Sequence, residues 1–293
     1  MKMRWLWIPV LALCLGVAAR DAQAVKPERF LDIGGTFVAE SENSDDEETK
    51  IQRTVGWAKL KLPVPLEGGN ALLFGLDYQS QWIGYDEAPT NELPNTLYSL
   101  GATLGFVWAM TENWSTVVQF MPGIQSDMED VSSEDYVFKG SLLFVRPFGK
   151  ANRFGIGAAF SDAFGSPQPI PLLLIDWYPA ENWFVEGLLP TDLDVGYRFS
   201  KALSVGLEGK VRGYMYRMSD DEDTWDSAVL RYTEIQVGPF VDYSLTDKMH
   251  LRASGGVSAA NKFEFRDDDN DDKLVEGDFK NSGYGTLNLY WTF

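Results

Sequence analysis

From Phe30 onward the chain alternates apolar and polar residues with a period of two. The stretch "LLFGLDYQSQW" sets Leu72, Phe74, Leu76 and Tyr78 against Gly75, Asp77, Gln79 and Gln81. "LYSLGATLGFVW" sorts Tyr98, Leu100, Ala102, Leu104, Phe106 and Trp108 against Ser99, Gly101, Thr103 and Gly105. "LSVGLEGKVRGYMY" sorts Leu203, Val205, Leu207 and Val211 against Ser204, Glu208, Lys210 and Arg212. Such segments read as strands with one apolar and one polar face. The first falls near residues 28–39 and the last over 277–293. "FVEGLLP" and "LDVGYRF" are either two short strands joined at Thr191-Asp192, giving fourteen in all, or a segment tucked aside, giving twelve. Pro190 makes this the hardest stretch to place, because proline cannot donate to a ladder.

Alternation does not say which face is inside. A soluble barrel hides its apolar face, whereas an outer-membrane barrel turns that face to lipid and keeps polar groups within. Three features favour the membrane arrangement. Segments 71–85 and 203–218 exceed the usual five or six residues of a globular strand. The connections alternate in length: 67–70, 111–113, 149–152, 180–182, 200–202 and 246–248 are short, whereas 40–49, 86–94, 127–135, 161–169, 219–226 and 267–278 are long. Short periplasmic turns and longer outer loops are the outer-membrane pattern. Finally, Trp108, Trp114, Trp177, Tyr178, Trp183, Tyr243, Trp291 and Phe293 fall beside short turns or at the C-terminus, with Trp82, Tyr85, Tyr214 and Tyr216 near the long connections. These read as two interfacial girdles. The expected fold is an all-β, antiparallel up-and-down transmembrane β-barrel of 12 to 14 strands over residues 25–293.

The N-terminus changes the picture of where the barrel goes. "MKMRWLWIPVLALCLGVAARDAQA" has Lys2 and Arg4, an uncharged run over residues 5–19, and Ala22-Gln23-Ala24. It reads as a secretory signal peptide over 1–24, cleaved before Val25, the run being short for a spanning helix. Cys14 lies in that run after Leu13, where a lipoprotein signal needs a small residue, so residues 25–293 contain no cysteine. Disulfides, zinc-thiolate sites and cysteine catalysis drop out with it.

The chain has 25 basic and 43 acidic residues, a net of −18. Such a charge excludes nucleic acid as the natural partner. Aromatic content of 14% and 27 glycines speak against disorder.

Two stretches resemble known sequences. "YGTLNLYWTF" ends on alternating apolar residues and a final Phe, and resembles the C-terminal signature of Gram-negative outer-membrane barrels. The resemblance implies that the barrel-assembly machinery reads the last strand, with Trp291 and Phe293 as the matching positions. "PIPLLLIDWYPAENWFVEGLLPTDLDVGYRFS" resembles the signature region of an uncharacterised family of bacterial outer-membrane, porin-like β-barrels, through Pro169, Pro171, Trp177, Pro179, Pro190 and Tyr197. That resemblance implies the fold and an outer-membrane location, and brings no activity with it.

Candidate chemistry lies on the polar face. Alternation points Asp32, Lys59, Lys61, Asp77, Lys139, Asp176, Glu208, Lys210, Arg212, Glu234, Asp242 and Arg252 inward, with Glu208, Lys210 and Arg212 placed to pair with Glu234. Lumen-facing candidates for setting selectivity are Lys59, Lys61, Asp77, Glu208, Lys210, Arg212, Glu234 and Asp242. Asp267, Asp269 and Asp271 alternate as in a calcium loop, yet Asp272 stands where such a loop turns on glycine and Asp278 replaces the bidentate glutamate. The acidic loops suit loosely shared Ca2+ or Mg2+, and no other cofactor is expected. His250, the single histidine, belongs at the periplasmic end, away from any substrate outside the cell, so no enzyme is expected. The expected role is a passive pore for small solutes. The alternative is a structural or surface-interaction barrel whose acidic outer loops bind divalent cations, lipopolysaccharide or a partner. Outer-membrane lipid and lipopolysaccharide would surround either.

Overall fold

The structure is a computed structural model that describes residues 29–44, 49–86, 95–149, 151–161, 168–218, 228–267 and 273–292. The strands are β1 (Arg29–Glu42), β2 (Lys50–Pro65), β3 (Ala71–Asp86), β4 (Thr96–Thr111), β5 (Trp114–Ser126), β6 (Tyr136–Phe148), β7 (Asn152–Ser161) and β8 (Gln168–Ala180). They continue as β9 (Trp183–Leu189), β10 (Asp192–Arg198), β11 (Leu203–Arg217), β12 (Ala228–Ser244), β13 (Met249–Asp267), β14 (Lys273–Phe279) and β15 (Ser282–Thr292). Each of the first thirteen pairs antiparallel with its successor, while β14 and β15 lie end to end along β13. β15 then pairs with β1 and closes the ring. β14 and β15 share one place in the wall, so the barrel has fourteen staves. The fourteen-strand reading holds, with β9 and β10 as the two short strands on either side of Pro190 and Thr191.

The apolar stripes look outward. Leu76, Leu104, Ile156, Leu207 and Leu287 are between 50% and 61% exposed, on strands all around the ring. Apolar surface on that scale is stable against acyl chains and not against water. Trp108, Trp114, Trp177, Trp183 and Tyr243 stand exposed near the short turns, as an interfacial girdle does. Those turns are two to five residues long, and the links at the other end five to ten, apart from the two-residue β9–β10 link.

Toward the long-loop end the polarity inverts. Along β13, Arg252 and Ser258 face inward; a kink at Ala260, with φ of 51°, resets the alternation. Beyond it Phe263 and Phe265 are buried inside, while Lys262, Glu264 and Arg266 take the other face. That is the pattern of a water-surrounded barrel, and it marks where the wall leaves the hydrocarbon. Tyr85, Tyr214 and Tyr216 correct the expected outer girdle for this reason. Tyr216 is fully buried, Tyr214 stacks on it with centroids 6.3 Å apart, and Tyr85 meets Phe263 edge-on. Only Trp82 of that set stands exposed. Tyr178 also points inward, its hydroxyl donating to Glu186 at 2.5 Å.

The expected long connection over 267–278 is largely strand: Asp267 ends β13, and Asp278 sits in β14 opposite Lys262. Asp269, Asp271, Phe293 and residues 1–24 lie outside the described residues.

Candidate functional site

The outer part of the lumen is an apolar seal. Ile51, Ile83, Leu97, Leu230, Phe263 and Phe265 belong to one buried cluster that includes Tyr216, Tyr232 and Phe279. Polar side chains reach through it from wall to wall. Arg53 on β2 meets Glu234 on β12 at 2.8 Å, with its guanidinium 3.6 Å above the Tyr232 ring. Both charged groups are buried. Ser258 and Gln236 donate to Glu234 at 2.6 and 3.1 Å, so the carboxylate is held on several sides. Gln79 on β3 donates to the Tyr216 hydroxyl on β11 at 2.9 Å. A cavity of about 10 Å³ beside Arg53, Tyr232, Asn261 and Ser282 has room for about one water. Charges buried this deeply persist only when paired.

Glu234 therefore does not pair with Glu208's neighbours as expected. Arg212 faces it directly in the β11–β12 register, yet the ion pair goes to Arg53 from across the lumen. The sequence conceals this because Arg53 alternates with Ile51, Val55 and Trp57, a set that looks apolar and is inward-facing. Its shared parity with Lys59 and Lys61 is the signal that places it inside.

Below the seal runs a row of four carboxylates on four successive strands. Asp176 lies opposite Glu186, Glu186 opposite Asp194, and Asp194 opposite Glu208. Neighbouring strands are about 4.8 Å apart, so bare carboxylates in such a row would repel one another strongly. Four cations offset this. Arg153 bonds Asp176 at 2.7 Å, Arg198 reaches Glu186 at 3.4 Å, and Lys210 donates to Glu208 at 2.6 Å. Arg252 bonds both Asp194 oxygens at 2.7 and 2.9 Å and Glu208 at 2.7 Å, with Phe240 beneath its guanidinium at 3.8 Å. Of this network the alternation gave Asp176, Glu208, Lys210 and Arg252. Glu186, Asp194 and Arg198 lie on the two short strands, where too few residues repeat to fix a face.

The opposite wall is built differently. Lys59 on β2 stands in register between Asp32 on β1 and Asp77 on β3. Asp77 accepts from Thr103 at 3.5 Å, and Asp32 accepts from Trp57, Arg29 and Asn288. Lys59 and Lys61 on this wall, and Arg212 on β11 facing them, make no ion pair among the described residues, and Lys61 and Arg212 lie within electrostatic reach of Lys59. Lys59 and Lys61 are exposed although they sit on the inner face. Exposed side chains enclosed by the wall mark open space in this part of the lumen. Lys139, also inward, lies within reach of the Gln125 amide oxygen at 3.0 Å once that amide is turned to suit its neighbours.

At the short-turn end Tyr290 donates to Asp242 and stacks on His250 with centroids 4.8 Å apart. Ser244 and Asp242 both address Nδ1 of His250, at 3.0 and 3.6 Å. A nucleophile–base–acid relay needs the two ring nitrogens to serve different partners. Trp291 continues the outward parity of β15 opposite Met249.

Comparison with solved structures gives porin-like and channel barrels. A TodX deletion mutant, described as a monoaromatic hydrocarbon channel, is 12% identical over 95% of this chain and 93% of its own, with a TM-score of 0.43; TodX is the toluene transporter of P. putida. The COG4313 outer membrane channel from Pseudomonas putida F1 is 14% identical over 94% of this chain and all of its own, with a TM-score of 0.41. The NanC porin is 10% identical over 90% and 100%, with a TM-score of 0.37. No curated protein matches the chain. One family of sequences does, over residues 35–291: it is described as "Domain of unknown function (DUF6268)".

Proposed function

We propose, for a chain that belongs to the DUF6268 family of unknown function and folds as a porin-like outer-membrane β-barrel, a role as a passive conduit for small anionic solutes. The observation that carries this reading is the cluster of exposed Lys59 and Lys61 on β2 with half-buried Arg212 on β11, none of which makes an ion pair among the described residues. Rings and clusters of Lys and Arg are how pores favour anions. The carboxylate row is matched by Arg153, Arg198, Lys210 and Arg252, so the charge left to act on a solute is that of Lys59, Lys61 and Arg212, moderated by Asp77.

The test uses two permanently charged solutes of similar size, benzenesulfonate and benzyltrimethylammonium, in proteoliposomes of the refolded barrel. The reading expects faster sulfonate uptake, and a several-fold loss of that preference in a K59Q/K61Q/R212Q variant. Equal uptake of both solutes, or none above protein-free vesicles, overturns it.

A second reading is a structural or surface-binding barrel, favoured by the apolar seal across the outer lumen; absence of uptake would select it. We further propose that Trp291, with Phe293 after it, is read by the barrel-assembly machinery, and that lipid and lipopolysaccharide form the surroundings of the wall.

A further inference from the structure

The wall is not of even height. β9 and β10 have seven residues each and stop at Leu189 and Asp192, where a two-residue link joins them. On one side β8 pairs with β9 only from Leu173 down, so residues 168–172 rise above it. On the other side β11 pairs with β10 up to Lys210 and the Val211 N–H donates to the Thr191 carbonyl of the link at 3.0 Å, so residues 212–217 rise above it. Among the described residues no strand fills the space between. Higher still, Arg217 at the top of β11 pairs with Ser126 at the top of β5. That contact joins β11 to β5 past the ends of β6, β7 and β8, and below it the space between the edges of β11 and β8 is a window in the wall. At its sill the two jambs are three strand spacings apart, about 14 Å. Seven residues rise only about 23 Å even when measured along the strand, so tilt keeps the sill inside the roughly 25 Å apolar band.

The two jambs differ chemically. β8 is apolar on both faces from Pro169 to Ile175, and its inner face continues an apolar patch through Gly157, Leu143 and Val117 on β7, β6 and β5. Leu173 and Pro171 are exposed outward, whereas Leu172 and Leu174 take the inner parity shared with Asp176. Leu188 on β9, opposite Leu174, extends the inner apolar patch to the sill. Pro169 and Pro171 also suit a strand that has a partner on one side only, since they offer no N–H to the empty side. Across the window, Arg212 is the first inward residue of β11 above its last β10 partner, and it makes no ion pair among the described residues. Its cross-strand neighbour Glu234 is already engaged by Arg53.

We infer that this window is a side portal between the lumen and the bilayer, and that its ligand is a small amphiphilic anion: an apolar chain or ring carrying one negative group. This rests on the conduit reading and gives it a route, because the apolar seal blocks the straight path to the long-loop end. The anionic group meets Arg212 and then Lys59 and Lys61 in the wet lumen. The apolar body slides over the half-buried Leu174 and Leu188, beside the lipid-facing Pro171 and Leu173 and with buried Leu172 behind them. No apolar solute has to cross bare polar wall.

The experiment compares methanesulfonate with octanesulfonate, equal in charge and different only in the apolar chain, for uptake into proteoliposomes after subtraction of protein-free vesicles. The portal predicts that the barrel passes octanesulfonate faster, and that L188D lowers the octanesulfonate-to-methanesulfonate ratio by about ten-fold, the effect of losing roughly two methylenes' worth of apolar contact. L188M keeps the ratio within about two-fold, since volume and polarity are conserved. In case L188D does not refold, the unaltered barrel is photolabelled with a diazirine-bearing alkyl sulfonate. Adducts are then expected on residues 169–175 and 188–193. Equal uptake of the two sulfonates, an L188D ratio unchanged, or adducts spread evenly over the outer face each overturn the portal while leaving the conduit standing. If no sulfonate at all enters, benzenesulfonate included, the conduit reading falls and takes the portal with it.

Discussion

Arg53 and Lys59 lie on the same face of the same strand, three inward positions apart, and carry the same charge. Arg53 is 1% exposed, stacked on Tyr232 and paired with Glu234; Lys59 is exposed and has no ion pair among the described residues. What separates them is height. Arg53 stands where the lumen is packed with Ile51, Leu97, Leu230 and aromatic rings, so its charge had to find a partner across the barrel. Lys59 stands in the roomier part below, where its side chain is exposed within the lumen and makes no ion pair among the described residues. One inner face therefore does two jobs, a dry structural seal outward and a charged chamber inward.

Removing charge should affect the stability of the two levels to very different degrees. The largest effect is expected at the seal. Arg53→Met leaves Glu234 buried and unpaired, which costs about 3–5 kcal/mol. Urea unfolding followed by tryptophan fluorescence should show it, and R53M/E234L should recover most of the loss, because two apolar groups replace a matched pair. Similar in size is Phe263→Ala, about 3–5 kcal/mol for emptying a packed aromatic site, read in the same unfolding assay. Next comes the outer surface: Leu104→Arg places a charge on the lipid face and should cost about 2–4 kcal/mol near mid-bilayer. A soluble barrel would tolerate that change with little loss, so the unfolding midpoint also tests which face meets lipid. The smallest stability effect is expected in the chamber. K59Q/K61Q/R212Q should lie within about 0.5 kcal/mol of the unaltered barrel, as solvated side chains do. Its effect is on selectivity, and the preference it removes should already be weaker at 1 M salt, where the screening length falls to about 3 Å from about 10 Å at 0.1 M.

Much of this was legible from alternation. Period two placed Leu76, Leu104 and Leu207 on lipid, Glu208, Lys210 and Arg212 inside, and girdle tryptophans beside the short turns. The count of fourteen rested on taking "FVEGLLP" and "LDVGYRF" as strands, which their pairing through Glu186 and Asp194 bears out. Two physical circumstances hid the rest. Above the membrane boundary the polarity rule reverses, so Tyr85, Tyr214 and Tyr216 read as a girdle although they form part of the seal. Ala260 then shifts the parity of β13 by one, putting Ser258 and Asn261 on the same side, and a one-residue slip moves every later side chain to the other face. The pairing partners were out of reach for a third reason. Arg53 with Glu234 and Arg252 with Asp194 span strands that are not neighbours, and no local pattern encodes a contact across a lumen. Uneven wall height, the basis of the side portal, shows in the sequence only as two short strands and a strand apolar on both faces.

A chamber wet below and sealed above is what distinguishes this barrel from an open pore. It is tested most directly by thiol accessibility, since residues 25–293 contain no cysteine and single replacements report cleanly. Lys59→Cys and Leu97→Cys would be compared in vesicles, using a charged, membrane-impermeant methanethiosulfonate added to the short-turn side. Rapid modification at 59 with protection at 97 is the predicted result. Equal, fast modification at both positions would mean an outer lumen open to water, and protection at both would mean a barrel filled from end to end; either contradicts the account.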